Sequence, residues 1–111
     1  MENILSEVID NLLDIKPLKI ILFGSRAAGT NDEQSDIDLV VVLDTRKIPE
    51  TYDEKLKLKV QVRDCIYELS RKIPIDLVVY THGEYEILQE RKTSFYNEIM
   101  EHGKVLYEKA G

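Results

Sequence analysis

At 111 residues, with 43% hydrophobic and 32% charged side chains, the chain has the length of one domain, 1–111, with enough apolar material for one core and no low-complexity tract. A formal net charge of −6 has the wrong sign for gripping a polyphosphate backbone and argues against a free nucleic acid template as partner. Cys65 is the only cysteine, which excludes an intramolecular disulfide, and no stretch reaches the roughly 18 consecutive apolar residues of a membrane span. With no basic n-region in "MENILSEVIDNLLD", the expectation is a cytoplasmic protein without membrane attachment.

In chain order, Ile4, Leu5, Val8, Ile9, Leu12 and Leu13 recur at helical spacing, so residues 3–14 read as an amphipathic helix stopped before Pro17. "LKIILF", 18–23, is a strand that ends on Gly24, where a polar, alanine-containing stretch opens a helix or turn. "DIDLVVVLD", 36–44, is the second strand. From Tyr52 to Lys72, Leu58, Val62, Cys65, Ile66 and Leu69 share one face of a long helix, and Cys65 there reads as core packing. "IPIDLVVY", 73–80, is the third strand, and Thr81 with Glu84 three residues on forms a capping box for the next helix. That helix breaks near Thr93 and Ser94, resumes as "FYNEIMEHG" with Gly103 as its stop, and precedes a short strand, "KVLYE". Helices alternating with strands predict an α/β chain: a two-layer α+β arrangement with helices packed on a small mixed sheet.

The period of a strand then places the acids. Asp36, Asp38, Val40 and Val42 fall on one face, and Ile37, Leu39, Val41 and Leu43 on the other. Two carboxylates at i and i+2 stand with their Cα atoms roughly 6.5 to 7 Å apart, a spacing that suits ligands of divalent ions. Like charges this close raise each other's pKa, and a metal removes the conflict. Asp76 repeats the oddity between Ile75 and Leu77. If its strand neighbours the second one with the acids on a common face, three oxygen ligands of the Mg2+ type converge. Asp44 reads as a solvated strand end.

Two acids near a strand end are by themselves more often solvated than catalytic, and a lone Gly-Ser dipeptide is usually just a turn. Their order on the expected elements is more specific. Gly24, directly after a buried strand, lets backbone approach a ligand closely, and Ser25 adds a hydroxyl beside amide donors, a turn suited to phosphate.

Gly24 and Ser25, ten intervening residues, then Asp36, Ile37 and Asp38 resemble the GSx10DxD signature of the nucleotidyltransferase superfamily that includes DNA polymerase beta. The short length and the wording "GSRAAGTNDEQSDIDL" are similar to the minimal nucleotidyltransferases, or MNT proteins, and "PIDLVVY" and "IMEHGKVLYE" also resemble that family, so the likeness covers most of the chain. One departure is Ala28, where members commonly carry a basic residue.

The resemblance implies the polymerase beta-like fold and nucleotide transfer with two Mg2+ ions and ATP as substrate. Asp36 and Asp38 would bridge both ions, and Asp76 would complete the site of the ion that activates the attacking hydroxyl and accept its proton. Gly24 and Ser25 would hold the β and γ phosphates. Arg26 would assist the triphosphate, the alternative being a solvated turn residue. The chain leaves no residues for a second-substrate domain, so a partner is expected to supply that surface in a hetero-oligomer. In the minimal family that partner is a helical HEPN protein encoded alongside, often a ribonuclease toxin, silenced by binding and by AMP on a tyrosine. The resemblance thus implies an antitoxin-type protein adenylyltransferase, and an acidic chain suits a basic partner. Two alternatives stand beside it: a subunit of a small-molecule nucleotidyltransferase completed by a helical partner, and a non-catalytic nucleotide-binding module that blocks its partner by contact. His82 and His102, far apart near helix ends, read as surface or capping residues, and none of the six tyrosines is assigned to the base.

Overall fold

The computed structural model describes residues 3–28 and 36–110. Helix α1 (Asn3–Leu12) runs into a single 3-10 turn, Leu13–Ile15, which closes on Lys16 in the left-handed region and delivers the chain to β1 (Pro17–Phe23). Pro17 is tolerated as the first residue of that strand, where its missing N–H matters least. A four-residue helix, α2 (Ser25–Ala28), follows Gly24, and β2 (Ile37–Leu43) is the second strand.

The long helix expected from Tyr52 onward is two helices, α3 (Tyr52–Cys65) and α4 (Tyr67–Ser70). Ile66 between them leaves helical geometry, and its N–H donates to Arg63 and Asp64 instead of to the carbonyl four residues back. The break costs little because the apolar face carries through it: Val62, Ile66 and Leu69 are all buried in one cluster.

Strand β3 (Ile75–Thr81) leads directly into α5 (His82–Arg91) through the expected capping box, in which the Thr81 side chain accepts from the Glu84 N–H and the Glu84 carboxylate accepts from the Thr81 N–H. Lys92 in the left-handed region and Thr93 as N-cap separate α5 from α6 (Ser94–His102). Gly103 ends α6 in an extended conformation, and β4 (Lys104–Glu108) completes the chain of elements.

The strands form one mixed sheet in the order β3-β2-β1-β4, with β1 antiparallel to both β2 and β4 and β2 parallel to β3. This is the expected fold class, a small mixed sheet with helices packed on it, but the helices lie on both faces of the sheet rather than in the single layer expected. Ile37, Leu39, Val41 and Leu43 point into the larger core, which α1, α3 and α4 cover. Val40 and Val42 point the other way, into a smaller cluster built with Ile21, Tyr85 and Ile99, so α5 and α6 cover part of the second face. The alternation inferred for β2 is therefore the one observed, and it leaves the Asp38 end of that second face without a helix-buried residue.

Thr81 is 2% exposed and holds the junction between the strand that carries Asp76 and its following helix. Replacing Thr81 with Ala is expected to cost about 0.5 to 2 kcal/mol in urea unfolding. An unchanged midpoint would mean that the cap contributes nothing to the fold.

Candidate functional site

Three strands bring their ends together at the β1-to-α2 turn. In the β1–β2 register Phe23 stands opposite Asp38, and in the β2–β3 register Asp38 stands opposite Asp76. Residues paired in register share a face, so one row across the sheet reads Phe23, Asp38, Asp76. The next rows, Ile21–Val40–Val78 and Lys19–Val42–Tyr80, are mostly apolar and run beneath α5 and α6.

Sequence periodicity assigns Asp76 a face, and the parallel register supplies its neighbour. The Asp38 and Asp76 carboxyls are within hydrogen-bonding reach of each other. Partial burial raises the Asp38 pKa above the ordinary carboxyl value, and the Asp76 charge, its hydrogen bond and then the Asp36 charge push it further the same way. Asp36 itself is exposed and lies just before β2, so it stands at the mouth of the pair. The Ile37 N–H donates to the Pro74 carbonyl at 3.0 Å, tying the Asp36 end of β2 to the segment that precedes β3.

Gly24 is what makes room for Asp38. Its φ is +76°, and a Cβ built on it would lie 2.3 Å from Asp38 Oδ2. Both the backbone conformation and the clearance require glycine at this position. Ser25 is the first residue of α2, but its hydroxyl and the side chain of Ala28 lie outside the described residues, as does the segment 29–35. Arg26 is 6% exposed, so its side chain is packed into the protein and the solvated-turn alternative does not hold.

Among the described residues, no three His, Cys, Asp or Glu side chains are gathered closely enough to hold a metal ion as they stand. The donor set nevertheless fits a hard dication: oxygen-only ligands, two of them in contact and mutually repelling, with a third carboxylate adding to the field. The strand-end competitor is otherwise engaged. Asp44, at the far end of β2, accepts from Lys109 Nζ at 2.6 Å, and that lysine holds its carboxyl below the usual range. His82 lies 3.1 Å from Glu86 near that same end, and His102 closes α6.

A cavity of about 460 Å3 between Thr45, Lys47, Lys57 and Thr81 opens at the C-terminal ends of β2 and β3, the end opposite the paired acids. The carboxylates therefore occupy the N-terminal ends of the parallel pair and the C-terminal end of β1.

Comparison with known proteins identifies the family and agrees with the fold. The family model described as polymerase beta, nucleotidyltransferase matches residues 5–110. A Methanocaldococcus jannaschii protein named as a candidate protein adenylyltransferase, MJ0141, is 30% identical over 95 residues, spanning 86% of this chain and 84% of that protein. Among solved structures, a toxin-antitoxin with AMP-PNP aligns at TM-score 0.54 with 21% identity, over 97% of this chain and 75% of that one. A mutant of the toxin-antitoxin MntA-HpeT aligns at TM-score 0.55 with 21% identity, over 98% and 75% of the two chains.

Substitutions at two positions test the geometry without any ligand. Gly24→Ala is expected to destabilise the protein by at least the about 1 to 2 kcal/mol of a left-handed non-glycine residue. Much of the excess should vanish in the Gly24→Ala, Asp38→Ala double variant, because the clash is with the Asp38 carboxylate. Asp38→Asn should leave metal-free thermal stability level or higher, since it removes one of two repelling charges. Strict additivity in the cycle, or a clear loss of stability in Asp38→Asn, would refute the packing described.

Proposed function

The chain belongs to the polymerase beta nucleotidyltransferase family, and from that premise we propose that it moves AMP from ATP to a tyrosine hydroxyl of a helical HEPN-family toxin, acting as its antitoxin. The observation that carries the reading is the Asp38–Asp76 pair, set in register across β2 and β3 beside the bare backbone of Gly24. The adenylyltransferase name of the archaeal relative supports protein as acceptor, and the two structural neighbours described as toxin-antitoxin proteins support the partner.

In this reading Asp36 and Asp38 hold the reacting end of the donor, and Asp76 faces the acceptor from the edge of the sheet. Two Mg2+ ions held by Asp36, Asp38 and Asp76 would supply charge neutralisation at the attacking and leaving oxygens. The acceptor oxygen bonds to the α-phosphorus, the bond from that phosphorus to the bridging oxygen breaks, and pyrophosphate leaves. Asp76 takes the hydroxyl proton. Gly24, lacking a side chain, lets the β and γ phosphates come against the turn, and Ser25 adds its hydroxyl there. The burial of Arg26 favours a role in holding the turn that presents both.

The reading is tested by mixing the protein with Mg2+, each α-labelled ribonucleoside triphosphate in turn, and the candidate toxin. Label on a toxin tyrosine, from ATP, is the expected result. Label on a small molecule instead would favour the subunit alternative, and a stable complex without transfer would favour blocking by contact.

Asp76 provides a sharper check. Asp76→Ala should keep most of the Mg2+-dependent affinity for a nonhydrolysable nucleotide, because Asp36, Asp38 and the turn remain, while single-turnover transfer falls almost to zero. Calorimetry and transfer measured on the same variant separate the two effects. Full transfer would remove Asp76 from the site.

A further inference from the structure

The row that holds the two acids has a third member that the proposed chemistry does not use. Phe23 is the cross-strand partner of Asp38 on the side away from Asp76 and is followed directly by Gly24. Its ring meets that of Phe95, in the first turn of α6, edge to face, with centroids 5.4 Å apart and planes at 86°. Both rings lie at the border of the smaller apolar cluster and are only half-buried. An edge-to-face pair occupies the edge of one ring and the face of the other, so aromatic surface remains at the boundary with the carboxylates.

We propose that this Phe23–Phe95 ledge is a stacking site for the nucleobase of the donor triphosphate. The inference rests on the nucleotidyl-transfer reading of the acids. In an in-line displacement the entering and leaving oxygens lie on opposite sides of the phosphorus. With Asp76 serving the entering hydroxyl and the Gly24 turn serving the leaving pyrophosphate, the acceptor arrives from the β3 edge. The ledge lies across Asp38 from that edge, which leaves it to the ribose and base that the α-phosphate carries. The chemistry of the ledge also limits what it can select. Phenylalanine rings offer no hydrogen bond to a base edge, and stacking depends on ring area, so the ledge favours purines over pyrimidines without separating adenine from guanine.

The test compares ligands that share the phosphates but differ in the base. With Mg2+ present, affinities for nonhydrolysable ATP, GTP and CTP analogues and for inorganic triphosphate are measured by calorimetry on wild type, Phe95→Ala, Phe95→Leu and Phe95→Tyr. Wild type should hold the purine nucleotides more tightly than inorganic triphosphate. Phe95→Ala should lose about 5- to 150-fold in affinity for both purine nucleotides, the range expected for one lost base–aromatic stack, and keep its affinity for inorganic triphosphate. Phe95→Leu retains the apolar packing of α6 and should show most of the same loss, whereas Phe95→Tyr should restore binding. An unchanged ratio of nucleotide to inorganic triphosphate affinity in folded Phe95→Leu would overturn the proposal. So would a loss confined to acceptor affinity, which would give the ledge to the acceptor ring. Failure of wild type to bind any triphosphate would instead overturn the nucleotidyl-transfer reading, and the ledge proposal with it.

Discussion

Two carboxylates held in register on neighbouring strands repel each other, and the surrounding structure does not let them part. Asp38 cannot move without β2, and β2 is fixed from both faces. Ile37, Leu39 and Val41 are fully buried on one side, and Val40 and Val42 on the other. Burying each such side chain is worth about 1.5 to 3 kcal/mol, so the strand as a whole outweighs any relief available from shifting one acid. The strain is met locally instead. Burial, the Asp76 charge and the hydrogen-bonding approach of the two carboxyls together raise the Asp38 pKa. On the proposed reading a dication would relieve the same repulsion, so the pair would serve as a cation site.

The pair is also asymmetric. Asp38 sits on an interior strand with partners on both sides, whereas Asp76 sits on β3 at the sheet edge and is exposed. The connection between the two parallel strands passes through α3 and α4, over the face that holds the larger core. It therefore leaves the acid-bearing face clear. On that face α5 and α6 cover the middle of the sheet through Tyr85 and Ile99 and stop at the Phe23–Asp38–Asp76 row. Lys55 strengthens the far end of the edge strand, donating to the Val79 carbonyl and to Glu84 of the capping box. The edge is thus anchored where it meets α5 and open where it carries Asp76.

Much of this was legible in the sequence, for reasons that can be stated residue by residue. Side-chain parity fixed which face of β2 takes Asp38, because a two-residue period leaves no third choice. The capping box at Thr81 and Glu84 was legible because it is a local hydrogen-bond exchange written in four residues. The break at Ile66 was not, since the apolar spacing from Val62 to Leu69 suits one helix and the departure lies in the backbone. Nor was the burial of Arg26, which depends on tertiary packing around a four-residue helix. The pairing of Asp76 with Asp38 needed a guess about strand order, because periodicity assigns a face but not a neighbour. The meeting of Phe23 with Phe95 had no local signal at all, being a contact between residues 72 positions apart.

Openness at Asp76 places a demand on whatever reacts there. Transfer of a phosphoryl-linked group competes with attack by water, and electrostatic stabilisation weakens where water penetrates. Neither α5 nor α6 reaches over Asp76, and among the described residues the carboxylate is exposed. A small acceptor would leave that side wet. A folded protein presenting its hydroxyl on a surface would bring its own apolar body against the β3 edge, excluding water only when the correct acceptor is seated. On the proposed reading, the exposure of Asp76 therefore couples specificity to chemistry: the site becomes dry, and its carboxylates most effective, in the complex that is to be modified.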